Sequence, residues 1–311
     1  MNRLFSITLW VAIILSIPAF ILSAASLVFI TGTSAALGLL FSVLYLAVVL
    51  WFFRKTPLWP RFNYPGVKPK KGRVFSWVCG SLMWGAFVCF GLIMLVALPV
   101  MEITDKLNWD FVSMSFAGAY PEEIAKALGV AIILMAYREL NRPWHGFITG
   151  ALVGLGFEVN ENLLYGATGA LMDPNSDLDG MLMMWGYRTV AGPLIHTLLT
   201  ALAGYGIALA LFRAQKTTAW RWGVVLGWGF VAFALHFTWN LLWENQYIAI
   251  ANYIVVSLIM YPLACFIIWR SWREAREDGS YAYAPGIITS AQELAFLDAP
   301  AGEAVEEVDR S

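Results

Sequence analysis

The sequence predicts an all-α polytopic membrane protein with about eight transmembrane helices, in which the fourth to seventh helices form a core. Of the 311 residues, 59% are hydrophobic and only 13% are charged, whereas soluble domains carry about 25% charged residues. The hydrophobic residues form long continuous runs, and a helix needs roughly 20 such residues to cross a bilayer. Continuous runs argue against a membrane β-barrel, whose strands alternate between lipid-facing and lumen-facing residues.

Eight such runs are predicted to span the membrane. They cover residues 5–30, 34–53, 74–99, 111–137, 145–168, 187–212, 221–243 and 247–269. The spans divide the chain into three predicted parts. Residues 1–110 contain three spans and a basic loop, residues 111–269 contain the core and the last span, and residues 270–311 form an acidic tail that is predicted to be disordered.

Basic residues collect in the loops on one side of the membrane. Seven Lys and Arg residues lie from Arg54 to Arg73, whereas the loop after the fifth span contains Asp173, Asp177 and Asp179 and no basic residue. Cytoplasmic loops carry the excess of Lys and Arg, so both termini are predicted to be cytoplasmic in a multi-pass protein of the cell membrane. The lipid bilayer is therefore one partner, and the net charge of -1 gives no indication of nucleic-acid binding.

The most polar stretch inside a predicted span runs from Tyr120 to Lys126. It places Glu122, Glu123 and Lys126 in hydrocarbon, which costs several kcal/mol unless the groups face a bundle interior or a wet cavity. Lys126 follows the two glutamates by four and three positions, so the three side chains share one face of the helix. Such a stretch indicates a functional site, and a purely structural ion pair is the alternative.

The three following spans also carry polar side chains. These are Glu158, Asn160, Glu161, Asn162 and Tyr165 in span 5, Arg188, His196 and Thr200 in span 6, and His236 and Asn240 in span 7. At about 1.5 Å per residue, Glu123 and His196 lie roughly 18 and 14 Å below the outer ends of their spans. Glu161 and His236 lie roughly 11 Å below theirs. We therefore predict one polar cavity in the outer half of the bilayer, with His145 outside it at the cytoplasmic end of span 5.

Two imidazoles and several carboxylates in a wet cavity suit two hydrolytic mechanisms. In the first, His196 and His236 hold Zn²⁺ together with Glu161 or one of the paired glutamates, and the bound water has a pKa of about 7. Glu122 or Glu123 is then the general base. In the second, Glu123 activates water without a metal, while His and Asn groups stabilise the oxyanion. The sequence contains neither HExxH nor GxSxG, so it leaves both routes open.

The polar positions resemble the motifs of a known family. Glu122-Glu123-x-x-Lys126, Phe157-x3-Glu161-x3-Tyr165, Arg188 followed by His196, and His236-x3-Asn240 are similar to those of the PrsW family of intramembrane proteases. That family is itself similar to the CAAX prenyl-protease and bacteriocin-immunity superfamily. The resemblance covers roughly residues 117–245. CAAX proteases carry EExxxR, and the lysine one position earlier in this chain favours the PrsW branch.

The resemblance implies an intramembrane endopeptidase that cuts a membrane-protein substrate in or near the outer half of the bilayer. In the family's best-known role this substrate is an anti-sigma factor. The catalytic group would be Glu122, Glu123, Lys126 and Asn240. The metal ligands or transition-state stabilisers would be Glu161, His196 and His236, with Zn²⁺ as the cofactor of the metal route. The supporting residues would be Glu158, Tyr165 and Arg188.

Two other functions remain open from the sequence. The first is a proton-coupled transporter or channel, because proton relays use the same Glu and His side chains at membrane depth. A transporter should carry polar residues toward the cytoplasmic half, and the inner halves of spans 4–7 are almost wholly apolar. The second is a non-catalytic receptor or scaffold that acts through the acidic tail. Deleting residues 277–311 would abolish such a function and spare catalysis in the cavity.

Overall fold

The computed structural model describes residues 3–62 and 72–278, and within these ranges the chain is helical without β-strands. The helices are α1 Arg3–Thr31, α2 Thr33–Arg54, α3 Arg73–Met83, α4 Phe90–Lys106, α5 Asp110–Met114, α6 Tyr120–Ala136, α7 Pro143–Met172, α8 Asp177–Ala191, α9 Ile195–Phe212, α10 Thr218–Trp239 and α11 Gln246–Glu277. A π-helical turn, Trp84–Cys89, joins α3 to α4, and a second, Ser115–Ala119, joins α5 to α6. Most of the predicted acidic tail and residues 63–71 of the basic loop lie outside the described residues.

Six helical stretches in the described ranges are long and apolar enough to cross a membrane. They are Arg3–Phe29, Thr33–Arg54, Arg73–Lys106, Asp177–Phe212, Thr218–Trp239 and Gln246–Glu277. The predicted fourth and fifth spans fall in the helical stretch from α5 to α6 and in α7, which carry the glutamates and the lysine of the polar motifs. The all-α membrane architecture is therefore confirmed, and the total of eight spans stays a prediction.

The outward faces of the helices are strongly apolar. Large hydrophobic side chains such as Leu15, Phe29, Val48, Leu95 and Leu258 are exposed. Exposed apolar surface of this extent is costly in water and suits contact with lipid. In contrast, every residue from 143 to 158 in α7 is buried, so the other helices surround this half of α7.

The packing of α9 on α7 depends on glycines spaced four residues apart. A Cβ atom added to Gly146, Gly150 or Gly154 would lie 2.2–2.3 Å from a backbone carbonyl oxygen of α9. These oxygens belong to Gly204, Thr200 and His196, respectively. Small residues at such positions let two membrane helices approach with their backbones in contact. The stripe therefore fixes the backbone of His196 against α7.

The predicted sixth span, 187–212, lies within the apolar stretch Asp177–Phe212, which the structure divides into two helices. Helix α8 begins at Asp177, where Ser176 accepts a hydrogen bond from the backbone N–H of Asp179, and it ends at Ala191. Pro193 disfavours helical geometry at the residue before it, and Leu194 has a left-handed φ of 60° before α9 begins. Arg188 and His196 are therefore supplied by two different helices. The seventh span also differs, because its helix ends at Trp239 rather than at residue 243.

We predict that Gly150→Ala destabilises the protein, because the added methyl group overlaps the Thr200 carbonyl oxygen. Overpacking of this kind costs about 1–3 kcal/mol, which thermal unfolding in detergent should show as a lower transition temperature. The matched control is Gly227→Ala in α10, where an added Cβ meets nothing within 4 Å. A control at least as stable as wild type is expected, and equal stability of both variants would contradict the close α7–α9 contact.

Candidate active site

Five buried side chains from three helices form the centre of the polar cavity. Glu122, Glu123 and Lys126 lie on α6, His196 lies in the first turn of α9, and His236 lies in the last turn of α10. One candidate ligand atom from each glutamate and each histidine lies within 4.8 Å of the other three. The structure thus brings together polar residues that are more than a hundred positions apart in the sequence.

Lys126 joins the two adjacent glutamates. Its Nζ atom lies 3.2 Å from Glu122 Oε2 and 2.7 Å from Glu123 Oε1. The ammonium also lies 4.5 Å from the centre of the Phe157 ring, at the distance of a cation–π contact. Because the lysine side chain is fully buried, its charge is balanced by the carboxylates rather than by solvent. The single helix face predicted from the sequence is therefore the arrangement seen.

Each imidazole is held by a carboxylate on one nitrogen and faces Glu122 with the other. His236 Nδ1 lies 2.9 Å from Glu123 Oε1, and His196 Nε2 lies 2.6 Å from Glu161 Oε2. The opposite nitrogens, His236 Nε2 and His196 Nδ1, lie 3.8 and 3.7 Å from Glu122 Oε2. The two ring centres are 4.9 Å apart. The carboxylates therefore fix how both rings are turned.

The hydrogen-bond partners also determine where the imidazole protons lie. Carboxylates only accept and an ammonium only donates, so His236 Nδ1 and His196 Nε2 each donate to a glutamate. Lys126 donates to His196 Nδ1 at 3.2 Å, and the Asn240 amide donates to His236 Nε2 at 3.3 Å. The nitrogen of each ring that lies nearer Glu122 is therefore an acceptor, for Lys126 in His196 and for Asn240 in His236.

This donor set fits a zinc ion. Two imidazole nitrogens and one carboxylate oxygen are a common catalytic zinc set, whose tetrahedral ligand atoms lie about 3.4 Å apart. The Glu122 oxygen lies 3.7 and 3.8 Å from the inward nitrogens of His196 and His236. A carboxylate on the second nitrogen of each ring is the usual support of a zinc-bound histidine, and here Glu161 and Glu123 occupy those places.

Glu161 was predicted as a metal ligand and lies outside the group of four. Its Oε2 atom contacts both His196 and the guanidinium of Arg188, at 2.6 and 2.5 Å. Arg188 also donates to Asn162 Oδ1 and lies over the ring of Tyr165, with 4.4 Å to its centre. Arg188 and Tyr165 thus support Glu161, and Glu161 in turn orients His196.

Glu158 points away from the group of four and binds the start of α9. Its Oε2 atom accepts hydrogen bonds from the Thr197 backbone N–H and hydroxyl, at 3.1 and 2.8 Å. Its Oε1 atom accepts from the Tyr45 hydroxyl at 2.7 Å. The first N–H groups of a helix lack partners within the helix, and Glu158 supplies one next to His196. Neither Tyr45 nor Thr197 is predicted from the sequence, where the one signal for Tyr45 is a hydroxyl inside an apolar run.

Gly118 in the second π-helical turn lets Asn240 approach Glu122. A Cβ atom at this position would lie 3.1 Å from the Asn240 amide nitrogen and 3.3 Å from Glu122 Oε1, which is tight for any side chain. Short π-helical segments inside α-helices are frequent at functional sites. Gly118 could not be predicted as a site residue from the sequence, because a glycine in an apolar span is also typical of ordinary helix packing.

Two adjoining cavities reach the group of four, and Glu122 lines both of them. The first, which we name the polar chamber, has a volume of about 210 Å³ and is lined by Glu122, Glu161, Arg188, His196 and Asn240 among others. Since water occupies about 30 Å³ in the liquid, this chamber has room for several molecules. The second, the methionine chamber, has a volume of about 290 Å³ and a mainly apolar lining that includes Met94, Met101 and Met114, with Glu122 and Glu161 among its polar residues.

A third cavity, which we name the α10 cleft, lies between α6, α9 and α10 and has a volume of about 480 Å³. Among the described residues that line it, Glu123 is the only one with a carboxylate. The Glu123 Oε2 atom is buried and has no hydrogen-bond partner among the described residues. The two glutamates therefore face different spaces, Glu122 the two chambers and Glu123 the α10 cleft.

Comparison with known families agrees with this geometry. The sequence model of the PrsW family intramembrane metalloprotease matches residues 74–267, which is more than half of the chain and contains the whole group of four. The chain belongs to the PrsW family. Comparisons with curated proteins and with solved structures give no match. In this PrsW chain, α1 and α2 lie outside the matched residues. Tyr45 on α2, which donates to Glu158, is therefore a residue near the site that the family match does not cover.

We predict that Glu158→Ala lowers the turnover number of the protease about 10- to 100-fold, because the start of α9 then loses its carboxylate partner and His196 is no longer fixed. Cleavage of single-span peptides in liposomes gives kcat and KM. An unchanged KM with a lower kcat is expected, since Glu158 lines none of the three cavities.

Two matched variants test the position of Glu158. Glu158→Gln keeps an oxygen that can accept from Thr197 and should restore most of the rate, while Tyr45→Phe should cost less than Glu158→Ala. If Glu158→Ala leaves kcat unchanged in a folded protein, the positioning role is wrong.

Proposed function

We propose that the chain is an endopeptidase that cuts a membrane protein with water activated by Glu122. The observation that carries this proposal is the convergence of His196 Nδ1 and His236 Nε2 on Glu122 Oε2, beside a chamber that is lined by Glu122 and His196 and is large enough for water. Family membership supports proteolysis as the reaction. The geometry favours Glu122 over Glu123 as the base, because Glu122 lines the polar chamber and Glu123 does not.

The side chains have distinct roles in this proposal. Glu122 takes the proton of the attacking water and returns it to the leaving amine. Lys126 offsets the repulsion between the adjacent carboxylates, and Glu123 orients His236. Asn240 is placed to donate a hydrogen bond to the oxyanion of the tetrahedral intermediate, since its amide lies beside His236 at the chamber wall.

Zinc is the cofactor that these residues fit, with Glu122, His196 and His236 as the residues that would hold it. On this metal route Glu122 would be a ligand, and its role as general base belongs to the metal-free route. When bound, zinc polarises the peptide carbonyl and lowers the pKa of water to about 7. Lys126 already contacts Glu122 and His196 at 3.2 Å each, so a cation would compete with its ammonium for these atoms. That competition separates the metal route from the metal-free route experimentally.

The ends of the helices support a site on the extracytoplasmic side. His196 is the second residue of α9, and His236 lies near the end of α10. The connection between these helices carries Arg213 and Lys216 at the opposite end. Because basic loops face the cytoplasm, we propose cytoplasmic termini and cleavage in or near the outer half of the bilayer. An anti-sigma factor is the substrate that we propose first.

The packing between α7 and α9 supports proteolysis over proton-coupled transport. A transporter needs a polar route from the cavity to the cytoplasmic side. Below His196, however, Gly146 and Gly150 lie against backbone atoms of α9 without room for even a methyl group. This contact leaves no space for a water-filled path along the α7–α9 interface.

We predict that Glu122→Gln lowers the cleavage rate by a factor of about 10²–10⁴, the usual contribution of a general base. Glu123→Gln, which keeps a hydrogen-bond acceptor for His236, should cost only about 10- to 100-fold. Purified variants assayed on single-span peptides in liposomes give both rates, and thermal unfolding shows whether they fold. The opposite order of effects would assign the base to Glu123.

We predict that Lys126→Met raises the zinc affinity of the purified protein at least about tenfold, because a positive charge beside the ligand atoms is removed. Equilibrium dialysis against zinc, followed by metal analysis, measures the affinity. Adding His236→Ala to the same variant should abolish the bound zinc. If neither wild type nor Lys126→Met binds zinc, the zinc part of the proposal fails and Glu122 acts without metal.

A further inference from the structure

We propose that the methionine chamber binds a large apolar side chain of the substrate. This side chain belongs to the residue next to the cleaved bond, on the side of the bond that lies in the membrane. This inference rests on the proposed function, because it concerns the substrate of the same site. The chamber lies between α4 on one side and α7 on the other, with the second π-helical turn at its inner end. Its lining reaches Glu122 and Glu161.

The methionine chamber adjoins the polar chamber. The two share five lining residues, which are Met114, Gly118, Glu122, Glu161 and Tyr165. A peptide that crosses this boundary would have apolar surroundings on one side of Glu122 and polar surroundings on the other. The end of a transmembrane segment has this pattern, because apolar residues give way there to polar ones.

The mouth of the methionine chamber faces the lipid side of the protein. Met94, Leu98 and Met101 line the chamber, and each is also exposed at the surface. Helix α4 packs against α6 and both π-helical turns, whereas α7 packs most closely against α9. A substrate segment can therefore enter sideways between α4 and α7 without separating the main helix contacts.

The lining predicts the kind of side chain that the chamber accepts. Methionine is flexible and polarisable, so a methionine-rich wall adapts to apolar groups of different shape. The carboxylates at the inner end of the chamber oppose an acidic side chain. We expect leucine, phenylalanine or methionine on the membrane side of the bond, with acidic residues excluded and alanine weakly accepted.

The α10 cleft is the competing entrance, since it is also apolar and lateral. It reaches Glu123, which does not line the polar chamber. It shares no lining residue with the polar chamber. A peptide in this cleft would therefore lack a path to Asn240 and to the chamber water.

A matched pair of variants distinguishes the two entrances. Ala97 lines the methionine chamber and Ala127 lines the α10 cleft, and both are half-buried. The probe is a set of synthetic single-span peptides in liposomes that differ only in the residue at the end of the span. Mass spectrometry gives the cleaved bond and the rate for each peptide.

Wild type should prefer leucine or phenylalanine over alanine by about 10- to 200-fold, the range for apolar pockets. Ala97→Phe should reverse this preference toward alanine while cleavage persists, and Ala127→Phe should leave it unchanged. If the preference moves with Ala127→Phe or with neither variant, the subsite proposal is overturned although the protease stands. If neither wild type nor Glu122→Gln cleaves any peptide, the proposed function fails, and the subsite proposal fails with it.

A second measurement does not depend on cleavage. In the Glu122→Gln protein, a photoreactive amino acid at Leu98 should capture the leucine-ended peptide, and the same group at Leu226 in the α10 cleft should not. This readout also covers the case in which Ala97→Phe fails to fold. Capture at Leu226 alone would assign entry to the α10 cleft.

Discussion

The structure depends on keeping a cluster of charges inside a membrane protein. Glu122, Glu123 and Lys126 are all buried and in contact with one another. Removing one partner of a buried ion pair costs about 3–5 kcal/mol, because a charge is left uncompensated. Each carboxylate and the ammonium therefore need partners, and those partners come from α7, α9 and α10.

The same requirement orders the site. Each imidazole donates to a carboxylate and turns its second nitrogen toward Glu122. Glycines hold the helices close enough for these contacts, at Gly154 between α7 and α9 and at Gly118 beside Asn240. The α10 cleft and the methionine chamber have apolar walls with lipid-facing side chains, and they reach Glu123 and Glu122, respectively. This combination suits hydrolysis of a substrate that arrives through the bilayer.

Much of this arrangement could be predicted from the sequence. Helical spacing placed Lys126 against both glutamates, and the polar side chains of neighbouring spans predicted that His196 and His236 meet them in one cavity. Long apolar runs predicted an all-α membrane protein, and six stretches of the described residues fit it. These features follow from the period of a helix and the thickness of a bilayer. Both are known in advance, so a single sequence can be compared with them.

Other features depend on the three-dimensional path and were not predictable. The break at Pro193 was hidden, because an apolar run continues through it and membrane helices tolerate proline and glycine. Glu158 and Glu161 lie three residues apart on one polar stripe, yet one binds the start of α9 and the other binds His196. The choice between Glu122 and Glu123 required the cavities, since adjacent glutamates look alike in a sequence.

Mapping of membrane-protein N-termini in the native host tests the account most directly. Cells with wild-type protein are compared with cells that express Glu122→Gln at a matched level, and mass spectrometry identifies the new termini. The account predicts termini near the outer boundary of transmembrane segments that appear only with wild type. The account would be contradicted if both kinds of cell gave the same set of termini and the purified protein also cleaved no peptide.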